Sequence, residues 1–272
     1  MSDTPADRPA DRYTHGHHES VLRSHRWRTA ENSAGFLLPH LRDGMSLLDV
    51  GCGVGTITVD LAGRLPNGSV VGVDLPSELI ANLQREHGSA NLRFEVGDVY
   101  ALDVADGTFD VVYAHQVLQH LSDPVAALRE MHRILKPGGL VAVRDSDYGG
   151  FVWSPADPVL DHWMRLYHLV TQRNGADADA GRSLHRWVRE AGFTDLAVSS
   201  STWTFQSDED RAWWGSTWAD RARHSEFARQ AMEYGFATAA ELDEISAAFT
   251  RWAHDPDGLF VLLHAEVVAR RA

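Results

Sequence analysis

Leu47-Leu48-Asp49-Val50-Gly51-Cys52-Gly53-Val54-Gly55-Thr56 is a short apolar run that breaks into a turn with glycine at every second position and then into helical spacing. Glycine removes the side chain where a backbone turns sharply and lies against a ligand. The helix that follows aims free N–H groups and a partial positive charge at an anionic group. A G-x-G-x-x-G dinucleotide turn begins the same way, but its third glycine would fall at position 56, which is Thr. The register is G-x-G-x-G, and the turn alone does not name a cofactor.

Outward from the turn, residues 70–73, 92–96, 109–114 and 140–143 are apolar runs of strand length. Between them, residues 56–64, 77–87 and 123–135 have helical spacing, the last closed by Lys136-Pro137-Gly138-Gly139. Strands alternating with helices pair in parallel through right-handed crossovers, which predicts a Rossmann-like, doubly wound α/β sheet with ligands at the carboxyl ends of its strands. After residue 150 the alternation stops. Residues 155–178 and 208–256 read as helical, aromatic-rich insertions covering the binding edge. Residues 196–205 and 259–268 read as strands pairing antiparallel at the sheet edge, for seven strands in all. Upstream, residues 19–41 carry a helical preface and residues 1–12 read as a loosely docked tail. The expected organisation is a tail and helical cover over 1–44, a cofactor-binding core over 45–147, and lid insertions with the last two strands over 148–272, completing the same domain.

Composition narrows the function. The chain has 272 residues and a net charge of −13, which argues against nucleic-acid binding through clustered Lys and Arg. Its one cysteine, Cys52, excludes an intramolecular disulfide, and no metal site is expected. The N-terminus lacks a signal-peptide core and no run is long enough to span a bilayer, so the expected setting is the cytoplasm with no membrane contact. A homodimer is compatible with these features.

Four more pieces follow the turn in order. Asp74 ends Val70-Val71-Gly72-Val73-Asp74, where a carboxylate can accept two hydrogen bonds from a ribose diol. Gly97-Asp98-Val99 follows the third run, where a carboxylate can accept from an adenine amino group. His115 and Gln116 end the fourth, and Leu135-Lys136-Pro137-Gly138-Gly139 introduces the fifth. Over residues 45–147 this resembles the class I S-adenosylmethionine (SAM)-dependent methyltransferases, and more narrowly those of the ubiquinone/menaquinone-biosynthesis C-methyltransferase type. The resemblance implies SAM as cofactor, with Gly51, Gly53 and Gly55 along its methionine end and Asp49 helping to hold its amino group. Asp74 would take the ribose, Leu75 would pack on the adenosine, and Asp98 with Val99 would bind adenine. His115 would meet the amino group through its carbonyl, with Gln116 beside it.

The acceptor side has weaker signals. A sulfonium methyl is already activated, so alignment and desolvation supply most of the rate, and a general base is needed only for some acceptors. In Tyr13-Thr14-His15-Gly16-His17-His18, ahead of the preface helix, Tyr13 and His18 are candidates to close the site. Arg26 would offer a cation to the methionine carboxylate, while His15 and His17 read as solvated. One of Asp145 and Asp147 is expected to face the pocket, and Asp145 joins His115 and His18 as a candidate base. His120 reads equally well as a packing residue. No Asn/Asp-Pro-Pro-aromatic sequence follows the fourth run and no Pro-Cys nucleophile exists, which disfavours adenine, glutamine and cytosine as acceptors. None of the nine Trp lies within residues 45–147. Aromatic cover of that kind suits a small, flat or hydrophobic metabolite accepting at O, C or N. Two alternatives stay open: a SAM-fold protein catalysing a non-methylation reaction such as cyclisation, and an NAD(P)-dependent oxidoreductase.

Overall fold

The computed structural model describes residues 11–16 and 18–272; residues 1–10, most of the expected tail, and His17 lie outside the described residues. The preface is not one helix. It is α1 (Glu19–Arg26), α2 (Ala30–Ala34) and a 3-10 turn at Leu38–His40. The break has a local cause: Thr29 caps α2 through a reciprocal pair with Asn32, in which each side chain accepts from the other's backbone N–H. A new helix therefore starts at Ala30, and Trp27 and Arg28 form a corner.

The alternating region forms β1 (Ser46–Val50), α3 (Thr56–Arg64), β2 (Ser69–Asp74), α4 (Ser77–His87), β3 (Leu92–Val96), β4 (Phe109–His115), α5 (Pro124–Ile134) and β5 (Leu135–Ser146). Then come β6 (Val152–Ser154), α6 (Pro158–Arg173), α7 (Ala180–Glu190), β7 (Thr194–Phe205), α8 (Asp208–His224), α9 (Glu226–Glu233), α10 (Ala239–His254) and β8 (Leu259–Arg270). Strands β3-β2-β1-β4-β5 run parallel in that order, and β8 joins antiparallel beside β5. β8 carries β5 from Arg270 to His264 and then the short β6 from Val261 to Leu259, while β7 pairs along its other edge. The sheet is thus seven strands wide, as the sequence predicts, and β6 is an eighth strand that extends the β5 side.

Strand alternation sorts the core into two layers. Leu47, Val70, Val111 and Leu140 pack under α2, α3 and α4, while their neighbours Leu48, Val71, Val112 and Val141 pack against α5 and α7. Helix α7 is not anticipated by the sequence reading. Its stripe of Ala180, Leu184, Trp187 and Val188 lies among charged residues and supplies the second layer beside β5 and β8. A third cluster forms where α6, α8, α9 and α10 fold over the sheet end, around Trp163, Trp218, Phe249 and Phe260. Fully burying an aromatic side chain contributes about 2–3 kcal/mol, so this cover has a core of its own. Among the described residues no helix is long and apolar enough to cross a membrane.

Candidate active site

All three glycines of the turn have left-handed backbone, with φ of 68° at Gly51, 54° at Gly53 and 77° at Gly55. At Gly51 a Cβ would lie 2.5 Å from Val117 Cγ2, so both angle and space require glycine. The turn is tied to β2. Gly51 and Cys52 donate their N–H to the Val73 carbonyl at 2.8 and 3.0 Å, and Gly53 N–H donates to Asp74 Oδ2 at 2.9 Å. The other Asp74 oxygen accepts from Leu75 N–H at 2.7 Å, which leaves a lone pair on each oxygen for a ligand. Beneath the turn, buried Asp49 accepts from Thr58 Oγ1 at 2.6 Å. Burial pushes its carboxyl up to about 7 against the lowering effect of Thr58.

A cavity of about 280 Å³ opens from this turn along the carboxyl ends of the strands. At one end lie Asp74, Leu75, Asp98 and Val99, with Leu75 64% exposed at the rim. Between them and the aromatic wall, His115 ends β4 and Gln116 follows it. Gln116 adopts a left-handed φ of 54°, unusual for a residue with a side chain. That turn folds its amide back so that Nε2 donates to Ser146 Oγ at 2.7 Å and to His264 Nε2 at 2.9 Å, while Oε1 accepts from the guanidinium of Arg28. Neither ring nitrogen of His115 has a hydrogen-bond partner among the described residues. Burial, reinforced by Arg28 and Arg144, holds its pKa well below the usual imidazole value, so the ring is neutral. Arg28 has no carboxylate partner among the described residues, and burial lowers its pKa to about 10.

The far end is built by elements distant in sequence. Trp27, Trp203, Phe205, Trp213 and Trp214 make one wall, with Trp27 edge-on to Trp203 at 5.1 Å between centroids. Tyr13, His15, His120, Tyr148 and Arg221 make another. Residues 11–16 cross the opening as a strap. Asp11 accepts from Tyr100 OH and Ser122 N–H, both at 2.8 Å. Arg12 reaches Tyr234 and Glu233 of α9, and Thr14 accepts from Asn174 at 2.9 Å. His15, which the sequence reading places in solvent, is instead buried, with its Nε2 2.9 Å from Tyr167 OH and 3.3 Å from Tyr148 OH.

Of the residues singled out from sequence, Tyr13, Asp49, Gly51, Gly53, Asp74, Leu75, Asp98, Val99, His115 and Gln116 come together on this cavity. Five do not line it. Gly55 caps α3, where a Cβ would press on Leu83 and Phe94 at 3.1 Å. His18 is the exposed N-cap of α1, accepting from Ser20 N–H. Arg26 faces solvent and pairs with Glu19 at 2.6 Å. Arg28, two residues on, lines the cavity instead, because the capping box at Thr29 turns the chain there. Asp145, in β5, and Asp147, just past its end, sit two apart along extended chain, so they share a face, and that face meets α7. Asp145 accepts from Gln119 N–H and Asp147 pairs with Arg182. Ser146, between them, lines the cavity. Trp203, Arg28 and Arg221 had no local motif to mark them.

Residues 41–192 match the family model described as a methyltransferase domain. An uncharacterized methyltransferase of Schizosaccharomyces pombe is 32% identical over 278 residues, spanning 97% of this chain and 99% of that protein. The chain belongs to the methyltransferase-domain family. In fold this methyltransferase is of class I, the SAM-dependent type. Two solved structures share its fold. The [4+2]-cyclase SpnF is 24% identical with a TM-score of 0.53, over 96% of this chain and 87% of that one. The Haemonchus contortus phosphoethanolamine N-methyltransferase 2, solved with phosphomonomethylethanolamine and S-adenosylhomocysteine, is 18% identical with a TM-score of 0.52, over 86% of this chain and 52% of that one. Family membership removes the oxidoreductase alternative.

Proposed function

We propose that this methyltransferase moves the methyl group of SAM to an O, C or N atom of a small, flat or hydrophobic metabolite. The observation that carries this reading is one continuous cavity with a glycine turn and Asp74 at one end and four tryptophans at the other. The residues present fit the cofactor. The free lone pairs of Asp74 suit a ribose diol, Leu75 and Val99 offer apolar faces to a base, and Asp98 stands beside them. Arg28, a guanidinium with no acid partner among the described residues, suits the methionine carboxylate in the role the sequence reading gives to Arg26. When bound, SAM supplies an activated methyl group, which the lone pair of the acceptor takes as the sulfur–carbon bond breaks.

The protein's own part is alignment and exclusion of water. The strap of residues 11–16 closes the opening, and the tryptophan wall holds a planar acceptor against the strand ends. His115 is neutral and buried at the middle of the cavity, where a ring nitrogen can accept a hydrogen bond or a proton from an acceptor O–H or N–H. His18 and Asp145, away from the cavity, are not carried forward as bases. The test is incubation with methyl-labelled SAM and a panel of phenols, quinones and amines, with mass spectrometry of both products. Labelled acceptor with stoichiometric S-adenosylhomocysteine is expected. An acceptor converted without label or S-adenosylhomocysteine would establish the non-methylation alternative instead.

A further inference from the structure

We propose that Arg221 docks an oxyanion carried by the methyl acceptor, so that the acceptor is a small flat molecule bearing a carboxylate or an ionised phenol or enol. This rests on the methyl-transfer reading above. Arg221, on α8, is 5% exposed and lines the cavity. Its guanidinium donates to the Ser20 carbonyl at 3.2 Å and to the Ser24 hydroxyl, and its Nε has no partner among the described residues. No acid of the described residues pairs with it. The two other arginines buried to the same degree are provided for: Arg144 meets Glu266 at 3.2 Å and Arg211 meets Asp208. Arg144 and Arg211, away from the cavity, carry their own acids, and Arg221 has none among the described residues. A buried charge left without a counter-charge is costly, which favours a partner that arrives with a ligand.

The surroundings specify the ligand. The Trp218 ring lies 5.1 Å from the Arg221 guanidinium carbon, which offsets part of the desolvation but supplies no acceptor atom. Tyr13 and Tyr148 line the same cavity. Arg28 lies close enough for the two guanidiniums to disfavour each other's charge, and a bound sulfonium adds a further positive charge. Each lining acid already has a protein donor, Asp98 accepting from Tyr100 N–H at 3.0 Å. Asp11 holds Tyr100 and Ser122, Asp49 holds Thr58, and Asp74 holds the glycine turn. A flat anion therefore meets complementary charge at Arg221 and an apolar face at Trp213 and Trp214, whereas a cationic amine would meet repulsion.

Calorimetry on the full chain saturated with S-adenosylhomocysteine, using 1-naphthoate and its neutral isostere 1-naphthamide as probes, tests this. Naphthoate is expected to bind at least ten-fold tighter. Arg221→Met should erase that preference, Arg221→Lys should keep part of it, and S-adenosylhomocysteine affinity should stay within about three-fold throughout. Naphthamide binding as tightly as naphthoate, or neither probe binding while S-adenosylhomocysteine does, would overturn the proposal. The wild-type comparison decides this even if Arg221→Met does not fold. A ten-fold loss of S-adenosylhomocysteine affinity in Arg221→Met would overturn it by assigning the residue to the cofactor. Failure of the wild-type protein to bind S-adenosylhomocysteine would instead bring down the methyl-transfer reading, and this proposal with it.

Discussion

Asp74→Ala should weaken S-adenosylhomocysteine binding about 100-fold. The carboxylate already accepts two backbone N–H groups, at 2.9 Å from Gly53 and 2.7 Å from Leu75, so its orientation is set before any ligand arrives. One lone pair per oxygen remains, enough for the two hydroxyls of a ribose. Hydrogen bonds to a charged group contribute about 1.5–3 kcal/mol each. Water filling the truncated site replaces part of that, so the net loss is about 3 kcal/mol, and each 1.4 kcal/mol is about ten-fold in affinity. Asp74→Asn keeps one acceptor oxygen but sets an NH2 against one of the two backbone N–H groups, and should fall in between, near ten-fold. Titration calorimetry of the three proteins reads the affinities. Melting without ligand checks that the Gly53 turn survives, since its freed N–H groups border the cavity and water can pair them at a cost of about 1 kcal/mol. An alanine variant that melts normally and binds within three-fold of wild type would refute the ribose assignment.

Two further outcomes follow from the placement of charges. Arg28→Met should weaken S-adenosylhomocysteine binding at least about ten-fold, through loss of one charge-assisted contact, whereas Arg26→Ala, removing an exposed pair with Glu19, should change it less than two-fold; the reverse order in calorimetry would restore the cofactor role to Arg26. Asp145 is buried and burial raises its pKa from 3.8 to about 8, so the folded state keeps a proton that the unfolded chain releases, and this contribution to stability is lost as pH rises from about 4 through about 8. Asp145→Asn keeps an oxygen for the Gln119 N–H and removes the titration. Its stability relative to wild type in urea unfolding should improve by about 2–4 kcal/mol between pH ~5 and pH ~8; a difference that does not change with pH would show that Asp145 does not titrate in this range.

The glycine turn, the alternation of strands and helices and the position of Asp74 were legible because each depends on residues a few positions apart: a period of two or of 3.6, a glycine where φ must be positive, a carboxylate at a strand end. The errors have local causes of their own. Arg26 is the last residue of α1 and faces solvent, and the new helix begun by the Thr29 and Asn32 capping box leaves Arg28 in the corner that lines the cavity. Asp145 was assigned to the cavity although strand alternation gives that face to Ser146. Helix α7 carries its apolar stripe inside a charged stretch, which hides it from a reading by apolar runs.

The glycine-turn end of the cavity, proposed to hold the cofactor, could be read from one continuous stretch, residues 45–147, because the groups lining it are mostly strand ends and a turn. The acceptor end could not. It is made where the strap at residues 11–16, the corner at Trp27 and Arg28, β7 and α8 meet, with contacts such as Trp27 on Trp203 and Arg221 on Ser24 joining residues more than 170 positions apart. No periodicity records which of nine tryptophans face a cavity, or which buried arginine lacks an acid. Those outcomes are set by packing and desolvation between distant segments, and they exist only once the chain has closed on itself.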